Sequence, residues 1–392
     1  MRKITADFIY TIDTPPIPNG VVTLADDGTI LSVSTRAEHD ETTLEKHEGI
    51  IVPGFVNTHC HLELSHMKGL VETGTSLIPF ITNVVQRRGA SAEIIQAAIA
   101  RADQEMYDGG IVAVGDICNV PDTFATKASS KMRYYSFVEM FDFLQTQNAD
   151  ATFEQYKAVY DQVPTSAKDR HSAVPHAPYS VSKRLFSKIN DLNETNSGTI
   201  SIHNQETPAE QALFLEGNGG FVDFYAGFGI SLAGFEHNKK PSIYYALENM
   251  DPSQRTLFVH NTLTSAADIR AAQAWSPNVY WATCANANLY IENRLPNYQH
   301  FWDCDARMTI GTDSLTSNWQ LSILDEMKII LRYQSYLDFD TVIKWATLNG
   351  AQALGFDAEL GSITVGKKPG LNLLSNKTAN AFGSDTTVKK LA

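Results

Sequence analysis

The stretch VPGFVNTHCHLELSH, residues 52–66, sets His59 and His61 one residue apart at the end of an apolar run. In an extended strand alternate side chains point the same way, so both imidazoles share a face and Cys60 turns from it, as a structural residue. Neutral imidazoles are strong ligands for divalent transition metals. A lone H-x-H is nonetheless more often a pair of surface or packing histidines, and it gains meaning only if distant residues reach the same point. His176, the run His203-Asn-Gln-Glu206, His260-Asn261 and Asp313 each stand where a short apolar run gives way to polar text. Any one of these histidines alone reads as a hydrogen-bonded structural residue. As a set, three histidines and a carboxylate suit a divalent ion such as zinc, with a water completing its shell. Such a water ionises near neutral pH and becomes a nucleophile.

Those residues need elements that bring them together. "GIVAVGDICN", "YYSFVEMFDF", "SAVPHAPYS", "TISIHNQET", "TLFVHNT", "VYWATCANANL" and "RMTIGTDSL" read as short, continuously apolar strands ending in polar residues, the pattern of buried parallel strands. Helical text separates them. "SAEIIQAAIARADQEMYDGG" spaces Ile95, Ile99, Ala102 and Met106 on one face, opens on Ser91 and stops at Gly109-Gly110. "WQLSILDEMKIIL" aligns Leu321, Leu324, Met327 and Leu331 similarly. With the strand before His59 there are eight strands, which predicts an α/β chain folded as a (β/α)8 TIM-like barrel over 54–354. The C-terminal strand ends of such a barrel share one mouth. A doubly wound sheet is disfavoured, because no G-x-G-x-x-G follows an early strand.

Both chain ends read differently. "GVVTLADDGTILSV" is two apolar runs around Asp26-Asp27-Gly28, a hairpin signal, and "ELGSITVGKKPGLNLL" alternates and turns at glycines. Residues 1–53 and 355–392 are expected to form one small β-sandwich domain, since neither piece folds alone. The bulk numbers bound the function. A formal charge of −13 over 392 residues disfavours nucleic acid as a partner. No run is long and apolar enough to span a membrane, and the N-terminus lacks the apolar core of a secretion signal. Four cysteines without a C-x-x-C pair suit a reducing, cytoplasmic setting.

The chain resembles the amidohydrolase superfamily, in the branch of guanine, cytosine, adenosylhomocysteine and aminofutalosine deaminases and chlorohydrolase-like proteins. "PGFVNTHCHLELS", "HAPYSVS", "SIHNQE", "VHNT", "GTDSLTSN" and "ATLNGAQALG" carry the resemblance across nearly the whole sequence. It implies that His59, His61, His203 and Asp313 hold a metal, that Glu206 and His260 are catalytic, and that His176 lies in the substrate pocket. Two-metal members bridge their ions with a modified lysine at the fourth strand. "VPHAPYS" offers none, so the resemblance implies one divalent metal per chain, zinc foremost, with iron or manganese able to use the same ligands. It also implies a small heterocyclic substrate and is compatible with a homodimer.

The chemistry so implied is hydrolytic deamination of an aminated purine, nucleoside or related N-heterocycle, with an aminofutalosine- or adenosine-like substrate. Glu206 would protonate the ring nitrogen, His260 would orient the attacking water, and Asp313 would relay its proton to the departing ammonia. Blander readings stand beside these roles. Glu206 also fits the start of the helix in "ETPAEQALF", and His260 also fits a fourth ligand. Glu63 and Ser65 in "HLELS" are candidate substrate contacts, although Glu63 equally fits a buried ion pair. The 214–236 segment suits either an apolar lid over a flat ring or a packed loop. "CANAN", Cys284 to Asn288, departs from the C-P-x-S-N common in relatives, which bears on pocket shape. The competing functions are a triazine-type chlorohydrolase, in which chloride leaves without needing Glu206, and a catalytically silent barrel acting as an interaction protein, which would show eroded ligands.

Overall fold

Eight parallel strands carry the polar residues singled out above. In a computed structural model describing residues 1–194, 198–375 and 382–392, they are β1 (Phe55–Cys60), β2 (Ile111–Cys118), β3 (Arg133–Met140), β4 (Arg170–Pro175), β5 (Thr199–Asn204), β6 (Arg255–His260), β7 (Val279–Thr283) and β8 (Met308–Ile310). They form two four-stranded sheets, β4-β3-β2-β1 and β5-β6-β7-β8, parallel throughout. Most of their residues are buried, as continuously apolar text requires.

Between the sheets, ladders give way to isolated backbone hydrogen bonds. His203 N–H donates to His176 O at 2.9 Å, and Thr312 and Asp313 N–H donate to His59 O at 2.9 and 3.0 Å. The expected barrel is thus seen as two parallel α/β sheets, and no continuous eight-strand ladder closes among the described residues. One physical reason is the brevity of β8, after which the chain turns with Asp313 at φ 58°. Gly311 makes the approach possible, because a Cβ there would stand 2.7 Å from His59 Cβ.

The helix Ala92–Asp108 follows Ser91 and buries Ala98, Ile99, Ala102 and Met106, with Ile95 only partly covered. The helix Ile323–Tyr333 buries Leu324 and Met327 as expected, but Ile330 in place of Leu331. It also buries Glu326, which accepts from Asn286 N–H, Asn286 Nδ2 and Asn318 Nδ2, each at 2.9 Å. Apolar spacing could not reveal a buried carboxylate satisfied by loops distant in sequence.

The chain ends make two further sheets. One orders Ile30–Thr35, Gly20–Leu24, Arg2–Thr5 and Glu45–Lys46. The other orders Thr387–Lys390, Leu371–Ser375, Ile50–Pro53, Phe8–Ile9 and Ile17–Pro18. The expected hairpin forms between Gly20–Leu24 and Ile30–Thr35, with Gly28 at φ 85° in its turn. Leu371–Ser375 runs antiparallel to Ile50–Pro53, so the tail pairs with the strand that leads into β1. Ile4, Val22 and Leu24 of one sheet share an apolar cluster with Ile9, Ile51 and Leu373 of the other. Part of the tail, 376–381, lies outside the described residues.

A buried ion pair ties the second and third strands to the turn that follows His61. Lys127, in the helix Phe124–Ser129, meets Asp116 Oδ2 at 2.6 Å and donates to Ser136 Oγ at 3.0 Å. Asp116 Oδ1 accepts the Leu62 N–H at 2.7 Å. Burial opposes the charge on Lys127, but Asp116 outweighs it and lifts the ammonium above its ordinary value of 10.5. Lys127→Met, leaving a buried carboxylate uncompensated, is expected to lower stability by about 3–5 kcal/mol in urea unfolding, and Lys127→Met with Asp116→Asn to recover most of it. Because the folded value is raised, the pair's contribution is complete below pH 10.5 and declines as pH rises through the folded value. Wild type and the single Lys127→Met variant should converge only in that alkaline range; convergence near neutrality would refute the pair's role.

Candidate metal centre and catalytic pocket

The strand ends bring together residues separated by more than 250 positions. His59 is the fifth residue of β1 and fully buried. His61 lies just beyond the strand, at the start of the 3-10 turn Leu62–Met67, so the two imidazoles are not successive members of one strand face. Their rings still stand 4.9 Å apart, because the turn swings His61 back over the strand end. His61 Nε2 is 3.3 Å from His203 Nε2 and 3.4 Å from Asp313 Oδ1, and His59 Nε2 is 3.6 Å from the same oxygen.

These separations test whether a metal fits. Ligand atoms about 2.1 Å from a common centre in a tetrahedron stand about 3.4 Å apart. The three measured edges match. The donors are also in the required form. Burial holds His59 and His203 below the ordinary imidazole value and His61 down to about 4, so all three are neutral near pH 7. His203 Nδ1–H donates to His176 O at 2.8 Å, which leaves its Nε2 lone pair for the centre. Both nitrogens of His59 are buried without a hydrogen-bond partner, and a cation beside Asp313 Oδ1 would relieve that cost at Nε2. Burial opposes ionisation of Asp313, but the surrounding His59, His61 and His260 outweigh it and keep its carboxyl well below the usual range. Ser317 Oγ donates to Asp313 Oδ2 at 2.6 Å, turning Oδ1 toward the histidines.

Glu206 and His260 face each other beside this cluster. His260 Nδ1 is hydrogen-bonded to Asn288 Oδ1 at 2.9 Å, and its Nε2 stands 3.7 Å from Glu206 Oε1. Asn288 is the last residue of "CANAN", so the departure from the common motif keeps the residue that orients His260. His260 also lies within ligand reach of His59 and Asp313, so the fourth-ligand reading of its side chain stays open. Burial, then the charge of Asp313, raises the Glu206 carboxyl well above its ordinary value. The backbone beneath it is clamped, because Glu210 accepts the Gln205 and Glu206 N–H groups at 3.1 and 2.9 Å. Glu206 precedes the helix Pro208–Glu216 but turns its carboxyl to the pocket, while Glu210, inside the helix, reaches back to the two amides before the N-cap Thr207.

A cavity of about 210 Å³ opens from these residues, far beyond the about 10–15 Å³ one water needs. His176, Tyr179, Phe141, Phe221 and Glu63 line it. His176 Nδ1 is hydrogen-bonded to Ser180 Oγ at 2.6 Å, and burial takes its imidazole down to about 3. Within the 214–236 segment the helix Gly220–Gly227 buries Phe221 and Tyr225; Phe221 stacks on Tyr179 at 4.2 Å, and Tyr225 Oη donates to Tyr179 O at 2.7 Å. The segment forms a packed wall of the cavity. Glu63 lies there too, 3.6 Å from Arg88, so the ion-pair and pocket readings coincide. Burial lifts its carboxyl to about 7. Ser65 departs from expectation: its hydroxyl donates to Leu62 O at 2.7 Å inside the turn, and it does not line the cavity. Cys60 is buried, and burial raises its thiol well above the ordinary range, in keeping with an inert residue.

Sequence reading missed Glu210, Ser317, Asn288 and Glu139. Ser317 and Asn288 sat inside quoted motifs, and Glu139 sat as a carboxylate within the apolar run "YYSFVEMFDF", an anomaly that could have marked it.

Comparison with known proteins is consistent with this arrangement. The family model described as the amidohydrolase family matches residues 50–391. The chain belongs to that family. Adenosine deaminase of Helicobacter pylori is 26% identical over 331 residues, covering 83% of this chain and 78% of its own length. Aminodeoxyfutalosine deaminase of Nitratiruptor sp. is 25% identical over 348 residues, covering 87% and 81%. The crystal structure of Helicobacter pylori aminofutalosine deaminase in complex with methylthio-coformycin has a TM-score of 0.80 at 22% identity, covering 96% of this chain and 93% of its own. This amidohydrolase is therefore an enzyme.

Saturating this amidohydrolase with zinc at 100 times its dissociation constant is expected to stabilise it by about 2.7 kcal/mol in thermal unfolding. Chelation should reverse the shift, and Asp313→Asn or His61→Ala should abolish most of it. An equal shift in both variants would place the ion elsewhere.

Proposed function

We propose that this amidohydrolase is a metal-dependent hydrolytic deaminase whose substrate is an aminated purine nucleoside or a closely related N-heterocycle. The observation that carries the reading is the placement of two buried carboxyls beside His260, with Glu206 Oε1 3.7 Å from its Nε2 and Asp313 within ligand reach of it; burial raises the first well above the ordinary range and the surrounding histidines hold the second below it. Environments that push two carboxyls apart assign one to accept protons and the other to donate them. Relatives named adenosine and aminodeoxyfutalosine deaminase across more than four-fifths of the chain support the class.

A divalent ion held by His59, His61, His203 and Asp313, zinc in this reading and one per chain, would lower the pKa of a bound water. The chain's own groups do the rest. An amino-bearing ring carbon is a poor electrophile, because amine and ring share their electrons. The Glu206 carboxyl protonates the adjacent ring nitrogen and makes that carbon attackable. His260, fixed through Asn288, orients the attacking oxygen by its Nε2. Asp313 accepts the water's proton and returns it to the departing amine. The C–N bond breaks as ammonia leaves, the new C–O bond becomes a carbonyl, the hydroxyl's remaining proton restores Glu206, and one water is consumed. His176 and the Tyr179–Phe221 stack would sandwich the flat ring. In this reading the two parallel sheets are halves of one (β/α)8 barrel, and its mouth is the cavity.

A triazine-type dechlorination would use the same ring-nitrogen proton from Glu206 but needs none returned to its chloride, and the relatives named deaminases favour the amine. A silent scaffold gives the matched ligand distances no task.

Metal-loaded protein incubated with aminopurines, aminopyrimidines and their nucleosides should release ammonia from at least one purine compound; chloride release from chlorotriazines with no ammonia from any amine would reverse the assignment. Glu206→Gln should retain metal and lose about 10²- to 10⁴-fold in kcat. Wild-type turnover in that variant would remove Glu206 from the chemistry. Asn288→Ala should lower kcat by a smaller factor with KM little changed, because it frees the His260 ring.

A further inference from the structure

Beside the histidine cluster the cavity holds a second polar group that the deamination chemistry leaves idle. Three successive strand ends supply it. Glu63 comes from the turn after β1, Asn119 directly follows β2, and Glu139 is the penultimate residue of β3. Asn119 stands between the two carboxyls: its N–H donates to Glu63 Oε2 at 3.1 Å and its side chain lies near enough to Glu139 to favour that carboxyl's charge. Arg88, at the end of the helix Leu77–Arg87, brings its guanidinium to 3.6 Å from Glu63 Oε1. All four residues line the cavity.

Glu139 is the informative member. It is 3% exposed, and its Oε1 has no hydrogen-bond partner among the described residues. The nearest imidazole nitrogen, His203 Nδ1 at 3.6 Å, already gives its proton to His176 O at 2.8 Å. That engagement also removes His203 as a ligand for a second cation at Glu139 and His176, which would otherwise lie within ligand reach. A buried carboxyl oxygen left unmade is costly, so a built site with this feature is completed by a donor from the cavity. Arg88 adds a positive charge beside the carboxyls, which disfavours a cationic ligand. Two carboxyl acceptors and one guanidinium donor complement groups that both donate and accept, namely hydroxyls.

Building on the nucleoside-deaminase reading above, we propose that Glu139, with Glu63, Asn119 and Arg88, forms a subsite that binds the hydroxyls of a sugar arm attached to the heterocycle. The group thereby selects nucleosides over free bases. Glu139 acts on affinity and leaves the proton transfers to Glu206 and Asp313.

Calorimetric binding tests this independently of turnover in the zinc-loaded full chain carrying Glu206→Gln, wild type at the subsite, with adenosine, its 2′-, 3′- and 5′-deoxy forms and adenine as probes. Wild type is expected to prefer adenosine to adenine, with one deoxy form falling toward the adenine value. Glu139→Gln and Glu63→Gln are each expected to reduce the adenosine-to-adenine affinity ratio about 10- to 100-fold, the range for hydrogen bonds to charged groups. In kinetics the same change should fall on KM more than on kcat. An unchanged ratio, equal loss on adenine and adenosine, or a wild type with no preference would each overturn the subsite. Ammonia release separates the two readings: deamination with an unchanged ratio sinks the subsite alone. Sugar-dependent binding without ammonia release from any probe sinks the deaminase and keeps the subsite.

Discussion

Imidazoles aim their lone pairs at a shared point only when something fixes each ring, and that constraint shapes the centre. The His203 Nδ1 proton is committed to a backbone carbonyl, and the Nδ1 of His260 is bonded to the amide oxygen of Asn288. His59 is fixed differently, by the close approach of Gly311 to its Cβ, and its Nε2 is left to whatever occupies the centre. The seams between the two sheets are made by the same residues, through His203 to His176 and Asp313 to His59. Misplacing one strand end would therefore disturb both the ligand set and the joint.

The backbone at these ends is strained, and the strain is compensated locally. Gln205, His260, Asn261 and Asp313 all have φ between 46° and 69°, a region that costs non-glycine residues about 1–3 kcal/mol each. Glu210 clamps the amides at Gln205 and Glu206. Asn261 Nδ2 donates to Phe258 O and Ala282 O, at 2.9 and 3.1 Å, across two strands. Asn204 Nδ2 meets Asn261 Oδ1 at 3.0 Å. These side chains turn an unfavourable bend into a rigid mount for the groups that follow it.

The electrostatics follow from where those bends deliver each carboxyl. Asp313 lands among imidazoles that favour its charge, while Glu206 is buried and feels the charge of Asp313. Identical chemistry thus splits into an acceptor and a donor by position alone. A third pattern appears at Glu63 and Glu139, which burial raises to about 7 and about 8 although Arg88 and Asn119 are close. Three kinds of carboxyl environment coexist around one cavity.

Much of this was legible from residue order. Buried parallel strands announce themselves because both faces are covered, so their text is continuously apolar and the polar residues collect at the ends. That is why His59, His203, His260, Glu206 and Asp313 could be named together. What eluded the text was set by contacts between distant segments. Ser65 closes its own turn, Glu326 is buried by loops it meets only in the folded chain, and Glu139 hides a free carboxyl oxygen inside an apolar strand. His61 reaches its partners from a turn, so strand alternation pointed to the right pair for a different reason. Residue type and local spacing determined which chemistry this chain could assemble, because periodicity is a property of neighbours. Only the tertiary structure decided which side chains face one cavity and which nitrogen or oxygen each presents, because the register of strands far apart in sequence is fixed by long-range backbone pairing.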